Sequence, residues 1–269
     1  MYKAFKHLIA ATLLAAASLL PVTALAGDTL QRIIDFRTLK VGMSGNQPPM
    51  TMTNRQGGLM GFDVDLAQAL AAAMRVKLEI KAMPFGELMG ALDDNEIDLI
   101  ISGMSITPER TEMVSFVGPY MMSGKSILTR SETLARVSST ADFNRKDLKL
   151  VALSNSTSAT FVRDAAPEAT LVPVSSYDEG VQQLVDGKAD AMVADMPMCV
   201  LSVLRYPEAG FTTLEQPLTL EPIGIAVSKD DLQFQNLVEN YLRAYEKSGV
   251  LNKLREKWFE DSSWVAALP

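Results

Sequence analysis

The sequence predicts an α/β protein, and three observations carry that prediction. Apolar strands alternate with amphipathic helices along the first half of the chain, which is typical of a mainly parallel sheet with helices on its faces. A second strand–turn–helix series begins near residue 148. Both series contain one layout of helix end, polar turn, Asp and apolar strand, in ALDDNEIDLIISGM and in QLVDGKADAMVADM. Two lobes of similar plan would explain this echo, although any protein of alternating strands and helices repeats the same rhythm.

The elements of the first series follow from local patterns. LKVGMSG, at 39–45, predicts a short strand that ends in a polar loop, and NRQGG, at 54–58, predicts a turn. GFDVDLAQALAAAMR, at 61–75, has apolar residues near helical spacing and two acids close to its start. VKLEIKAM then alternates as a strand does, FGELMGALDDN predicts a short helix, and IDLIISGM predicts a buried strand.

The segment at 123–144 breaks this rhythm. LKLVALSNSTSATFVRDAAP, at 148–167, opens the second series, which continues with the strand LVPVSS, the helix YDEGVQQLVDG and the buried strand ADAMVADM. A late strand lies in EPIGIAVSKDD, at 221–231. We expect the tail to be helical from 232 to 245 and again from 250 to about 258.

Residues 1–26 are predicted to be a signal peptide. A basic start precedes an apolar run too short to span a membrane, and ALA at 24–26 is typical of a cleavage site. No Cys immediately follows that site, which argues against a lipid anchor. Cleavage after Ala26 would leave 243 residues, enough for one large domain or two moderate ones. The mature protein is therefore expected to be soluble and exported.

Composition narrows the chemistry. The predicted mature chain keeps 23 of the 25 basic residues and all 32 acids, a formal charge of −9, and this disfavours nucleic acid as a partner. The one His, His7, lies in the predicted leader, and Cys199 is the one Cys. An intramolecular disulfide, an ordinary zinc site and His-based catalysis are not expected, and Ser-His-Asp and Cys-His hydrolases are excluded.

Arg110 stands at the first of three polar corners that follow predicted strands, where open α/β sheets bind ligands. Thr107 and Pro108 predict a helix start, and a cation in the first turn opposes the helix dipole by roughly 0.3–1 kcal/mol. A guanidinium fork suits a carboxylate, and Ser105 adds a hydroxyl. The alternative is a structural salt bridge, for example with Glu112, and spacing alone does not choose between the two.

The other two corners offer complementary groups. SNSTSAT, at 154–160, places hydroxyls and free N–H groups at a helix start, which suits either an anion or plain capping by Asn155 or Ser156. Asp195 ends an apolar strand, where it would pair with an ammonium group or cap the helix that Pro197 indicates. An Arg fork, an anion-binding turn and an isolated Asp together fit the carboxylate and the amine of an α-amino acid.

Five segments in order give the chain a family resemblance: GFDVDLAQALA, IDLIISGMSITPER, VSFVGPY, GKADAMVAD and GIAVSKDD. Over about 39–258 it resembles the family 3 solute-binding proteins, the periplasmic receptors of polar amino acid ABC transporters. The resemblance implies a type II periplasmic-binding-protein fold with two hinge strands between its lobes. Lobe 1 would comprise 27–128 and 222–269, and lobe 2 would comprise 129–221. It further implies a periplasmic monomer that closes around its ligand and an ABC permease as its partner.

The resemblance also implies roles for single residues. Arg110 would hold the α-carboxylate of the ligand, assisted by groups at 103–105 and by the helix start at 155–157. Asp195 would hold the α-amino group, and two aromatic residues match family positions near the ligand. The expected ligand-binding set is Arg110, Asp195, Ser105, Gly103, Thr157, Ser156, Phe85, Tyr120 and Met50.

The loop NQPPMTM, at 46–52, departs from the family pattern of aromatic-x-Pro-aromatic. Pro48, Met50 and Met52 occupy the region where rings often pack on the ligand side chain. Methionine side chains fill irregular gaps, so a methionine-lined wall would suit an uncharged side chain better than an ionic one. The alternative is that these methionines belong to the core.

Two other functions stay open at this point. Periplasmic cyclohexadienyl dehydratases, which convert prephenate or arogenate, share the fold and a similar GK segment. Lys125 and Glu221 lie at corresponding places, and a Glu in an apolar cleft could act as a general acid. The chain could also be a receptor that feeds a membrane sensor. We predict a binding protein without catalytic residues, metal or cofactor.

Overall fold

Two five-stranded sheets form the framework of the protein in a computed structural model that describes residues 28–132, 134–137, 142–261 and 263–268. Helices accompany both sheets, so the predicted α/β class is confirmed. The predicted signal peptide lies outside the described residues. None of the helices within the described ranges has an apolar stretch long enough to cross a membrane.

The N-terminal half supplies most of the first sheet. Its elements are α1 (Asp28–Phe36), β1 (Thr38–Met43), β2 (Met52–Thr53), β3 (Leu59–Met60), α2 (Phe62–Met74), β4 (Lys77–Ala82), α3 (Leu88–Asp93), β5 (Leu99–Ile100), α4 (Pro108–Thr111) and β6 (Ser115–Ser123). Helix α1 and strand β6 have no counterpart in the pattern-based prediction. The helix predicted after Thr107 is a single turn.

The second sheet and the tail follow. The remaining elements are β7 (Lys125–Thr129), β8 (Lys149–Leu153), α5 (Thr157–Ala165), β9 (Thr170–Val174), α6 (Tyr177–Val185), β10 (Ala191–Asp195), α7 (Met196–Arg205), β11 (Thr212–Thr213), β12 (Glu221–Val227), α8 (Leu232–Lys247) and α9 (Val250–Arg255). Strand β7 lies inside the segment that appeared to break the strand–helix rhythm.

The two sheets share one plan. The first has the order β4-β1-β5-β12-β6, and the second, counted from its other edge, has the order β9-β8-β10-β7-β11. In each sheet the first three strands are parallel, and the fourth is antiparallel to both of its neighbours. Each sheet is therefore mixed rather than mainly parallel. The sequence echo ends in β5 and β10, which hold the same place in the two sheets.

The chain crosses between the sheets twice, once at Gly124 and once in the segment 214–220. The crossings touch, because the Lys125 N–H donates to Thr219 Oγ1 at 2.9 Å and the Leu218 N–H donates to the Lys125 carbonyl at 2.7 Å. A Cβ atom on Gly124 would lie 1.9 Å from the Thr219 carbonyl oxygen, so no larger residue fits there. Strand β7 pairs in the second sheet from residue 125 onward, whereas the predicted boundary between the lobes follows residue 128. The lobe boundaries stay a prediction.

The two halves pack against each other beside the crossings. One apolar cluster combines Phe85 and Met104 from the first half with Tyr177 and Met198 from the second, and all four side chains are buried. A separate cluster fills the space between the first sheet and its helices α2 and α8. Burial of apolar surface, at about 25 cal/mol per Å², stabilises this closed arrangement of the two lobes.

Candidate ligand-binding site

Five ends of strands and helices converge between the two sheets. The loop after β5 carries Ser105 and leads to Arg110, and β7 begins at Lys125. Helix α5 begins at Thr157, β10 ends at Asp195, and β12 begins at Glu221, immediately after the second crossing. Because the chain crosses between the sheets at this point, residues more than 100 positions apart, such as Ser105 and Glu221, share one cleft.

Lys125 forms the centre of this cleft. Its side chain is 1% exposed, and its Nζ lies 2.6 Å from Asp195 Oδ1 and 3.0 Å from Glu221 Oε2. The two carboxylate side chains are 14% and 16% exposed. A buried ammonium without such partners would cost several kcal/mol, so the three charges depend on one another.

Glu221 collects hydrogen bonds from both lobes. Its Oε2 accepts from Ser105 Oγ at 2.8 Å and from Thr157 Oγ1 at 2.9 Å, and its Oε1 accepts from Thr219 Oγ1 at 3.1 Å. Burial by itself would raise the pKa of this carboxyl. The Lys125 cation and the hydrogen bonds from Ser105 and Thr157 outweigh burial and hold the pKa below its ordinary value. Glu221 is therefore a carboxylate and not a proton donor at neutral pH.

Arg110 connects the two halves at the edge of the cleft. Its NH1 donates to the Ser105 carbonyl at 2.9 Å, its NH2 donates to the Asn155 carbonyl at 3.4 Å, and its guanidinium lies 5.5 Å from the centre of the Phe85 ring. Burial lowers the pKa of this guanidinium, and the charges of Glu221 and Asp195 act against that change. Within the described part of the chain, Arg110 forms no ion pair, so the structural salt bridge considered above is not formed.

Asp195 occupies the N-cap position of α7 without making a capping hydrogen bond. Its carboxylate pairs with the Lys125 ammonium instead. Of the two interpretations that the sequence left open, Asp195 therefore serves as a partner of an ammonium group and not as a helix cap. Ser156, in contrast to Asp195, does form a capping hydrogen bond. Its hydroxyl accepts from the Ala159 N–H at 3.2 Å and donates to the Leu153 carbonyl at 2.6 Å, so it caps α5 and leaves the contacts in the cleft to Thr157.

Tyr120 lies in the core of the first lobe rather than in the cleft. It is fully buried, its ring stacks on Phe62 at 5.7 Å, and its hydroxyl donates to Asp63 Oδ1 at 2.9 Å. The other oxygen of Asp63 accepts from the Gly103 N–H at 2.7 Å. Tyr120 therefore contacts the Gly103 loop through Asp63, from the side of the core. This position differs from the ligand contact that the resemblance implied.

A small cavity lies beside the charged groups, and Met50 and Gly103 are among the residues that line it. Met121, Met198 and Pro197 add a flexible apolar wall. The enclosed volume is about 10 Å³, close to the space of one water molecule, so these side chains nearly fill the closed cleft. Lys125, Glu221 and Met198 were not in the predicted set. The sequence pointed to Lys125 and Glu221 only through the alternative dehydratase function, as residues at corresponding places.

Asp63 is expected to make stability depend on pH. Burial raises the pKa of its carboxyl to about 7, although the hydrogen bonds from Tyr120 and Gly103 act to lower it. The folded state then binds the proton more tightly than the unfolded chain does, so stability falls as pH rises from about 4 to 7 and levels off above that. Between pH 5 and pH 8 the wild type should lose about 2–3 kcal/mol of unfolding free energy through this group.

Urea unfolding at both pH values would measure this effect. Asp63→Asn should remove most of the difference, whereas Asp164→Asn, at an exposed position on α5, should keep the wild-type difference. Equal pH dependence in the wild type and in Asp63→Asn would contradict the raised pKa.

Two α/β lobes that meet over a cleft of paired charges are typical of proteins that bind a small solute between their lobes. The model of the bacterial extracellular solute-binding proteins, family 3, matches residues 39–261, and the chain belongs to that family. The predicted type II periplasmic-binding-protein fold is thereby confirmed.

Similar proteins include both binders and an enzyme. The cyclohexadienyl dehydratase of Pseudomonas aeruginosa is 30% identical over 262 residues, covering 97% of each chain. The ABC transporter arginine-binding protein 1 of Escherichia coli is 28% identical over 224 residues, covering 82% of this chain and 90% of that protein. The crystal structure of an ancestral amino acid-binding protein, a precursor of cyclohexadienyl dehydratase, has a TM-score of 0.80 and 34% identity, covering 86% of this chain and all of that one.

Proposed function

We propose that the protein is a periplasmic receptor that captures a small zwitterion of the α-amino acid type in the interlobe cleft and delivers it to an ABC importer. One observation carries this proposal. The Lys125 ammonium pairs with Asp195, and the Glu221 carboxylate that accompanies it accepts from Ser105 and Thr157. The cleft thus already holds one ammonium group beside a carboxylate and one carboxylate beside two hydroxyls. These are the kinds of partner that the amine and the carboxylate of an amino acid require.

The charge balance of the cleft supports a zwitterion over an anion. Arg110 and Lys125 are opposed by Asp195 and Glu221, so the four groups sum to zero. A zwitterion keeps that sum: its carboxylate would take the Arg110 fork, its ammonium would take Asp195, and Lys125 would keep Glu221. A dicarboxylate would add two negative charges to a largely buried site, where uncompensated charge is costly.

The cleft also supports binding rather than dehydration. A general acid must carry a proton, and the pKa of Glu221 is lowered by Lys125 and its hydrogen-bond donors. The protonatable Asp63 is separated from the cleft by the loop at Gly103. The similarity to a dehydratase over 97% of both chains nevertheless makes turnover an essential measurement.

The cellular context of the proposal rests on the relatives and on the predicted leader. A similar protein of Escherichia coli is a component of an ABC transporter, and the family is described as extracellular. We infer that a permease in the inner membrane receives the ligand, and that the receptor acts as a monomer. The same cleft would serve a receptor that feeds a membrane sensor. A pull-down from inner membranes would distinguish the two functions, because a transport receptor should recover a permease.

A melting-temperature screen would test the ligand class. The screen would contain the twenty amino acids, dicarboxylates and prephenate. A ligand at 100 times its dissociation constant stabilises the folded state by about 2.7 kcal/mol, so a neutral amino acid should raise the melting temperature by several degrees. A shift with dicarboxylates alone would contradict the role of Asp195 as an ammonium partner, and turnover of prephenate would favour the enzyme.

A further inference from the structure

We propose that Gln47 determines ligand specificity by selecting an amino acid whose side chain carries a neutral carboxamide. This inference rests on the proposed function and adds the chemistry of the ligand side chain. Gln47 belongs to the loop at 46–52, where the chain departs from the aromatic pattern of its family. The proposal follows from the surroundings of this one side chain.

The carbonyl oxygen of the Gln47 side chain is a buried acceptor without a donor. Gln47 is 4% exposed, its Oε1 has no hydrogen-bond partner within the described residues, and it lines the same cavity as Asp195 and Met198. Buried polar side-chain atoms are nearly always hydrogen-bonded, so an unpaired acceptor in a ligand-binding cleft calls for a donor from the ligand.

The backbone of Gln47 is held by hydrogen bonds, and its side chain lies against Gly103. The backbone N–H of Gln47 donates to the backbone carbonyl of Thr51 at 2.6 Å. The backbone carbonyl of Gln47 accepts from the backbone N–H groups of Met50 and Thr51 at 2.9 Å each. Gly103 has φ +55°, and a Cβ there would lie 2.7 Å from Gln47 Nε2 and 3.1 Å from Oε1. The side-chain amide therefore lies buried against Gly103, where a residue with a Cβ atom would displace it.

A second unpaired group lies on the same cavity. The Ser123 hydroxyl is buried without a partner within the described ranges and also lines the cavity. A hydroxyl can donate to a carbonyl oxygen, while Gln47 Oε1 accepts from an N–H group. A carboxamide offers both a donor and an acceptor, so it is complementary to the unpaired Gln47 Oε1 and the Ser123 hydroxyl.

The remaining wall excludes a charged side chain. Met50, Met121, Met198 and Pro197 are apolar, and Asp195 would be occupied by the ligand α-ammonium under the proposed function. A ligand carboxylate would face the Gln47 carbonyl oxygen, and an aliphatic side chain would leave that oxygen unpaired. Methionine side chains are flexible enough to move aside for a ligand of moderate length.

Calorimetric titration with L-glutamine, L-methionine and L-glutamate would test this inference, because these ligands have nearly the same length and differ at the end of the side chain. For the wild type, glutamine should bind about 5- to 150-fold more tightly than either of the others. Gln47→Met should remove that preference by weakening glutamine, and Gln47→Glu should shift the preference toward cationic side chains. Gln56→Met, at an exposed turn position, should keep the wild-type order.

The outcomes separate this inference from the proposed function. If amino acids bind the wild type but glutamine has no advantage over methionine, or if Gln47→Met keeps the wild-type order, the specificity role of Gln47 is wrong while the receptor function stands. If no amino acid binds the wild type, the proposed function falls and this inference falls with it. The wild-type comparison decides even if a Gln47 variant fails to fold.

Discussion

Replacing Arg110 with Ala is expected to weaken binding of the amino acid ligand by about 30- to several-thousand-fold. The loss of one partner from a desolvated, charge-assisted pair costs about 2–5 kcal/mol. Arg110 already connects the lobes through the carbonyl groups of Ser105 and Asn155. The variant should therefore lose both the carboxylate contact and part of the contact that closes the cleft. Isothermal titration with the ligand found in the screen would measure the effect.

Two further variants make this result specific. Arg110→Lys should also bind poorly, because an ammonium group cannot form two parallel hydrogen bonds with a carboxylate. Arg163→Ala removes an exposed arginine of α5 and should leave affinity unchanged. An unchanged dissociation constant for Arg110→Ala would mean that this arginine is structural.

Replacing Lys125 with Met is expected to lower the melting temperature by roughly 6–20 °C. The substitution leaves Asp195 and Glu221 facing each other in a buried cleft, and the removal of one member of a buried ionic cluster costs about 3–5 kcal/mol. In a protein of this size each kcal/mol corresponds to about 2–4 °C. Because the ligand ammonium would replace part of the missing charge, the ligand should stabilise this variant more than it stabilises the wild type. Calorimetry with and without ligand would measure both effects.

A matched surface pair provides the control. Lys188 forms an ion pair with Asp186 at 2.8 Å, but both side chains are solvent-accessible, so Lys188→Met should change stability by no more than about 1 kcal/mol. Adding Asp195→Asn to Lys125→Met should recover part of the lost stability. Equal melting temperatures for Lys125→Met and Lys188→Met would contradict the central role of the Lys125 cluster.

Local sequence patterns were enough to predict the class of the fold and most of the elements that carry the site. Helical spacing located α2, apolar runs located the central strands, and the echo between the two halves anticipated sheets of one plan. The role proposed for Arg110 also rests on local chemistry, because a cation at a helix start is unfavourable without an anion. Such features are short-range, and the residues that produce them are close together in the sequence.

Which polar groups meet in the cleft follows from the packing of the two lobes and not from local sequence patterns. Lys125 begins a strand that no pattern predicted, and its partners Asp195 and Glu221 come from residues 70 and 96 positions further along the chain. Ser156 and Thr157 are neighbours with equivalent hydroxyls, yet one caps a helix and the other faces the cleft. Tyr120 matched a family position and is nevertheless in the core. Strand pairing and lobe closure fix these arrangements, since the free energy of a buried charge depends on partners that no local sequence pattern identifies.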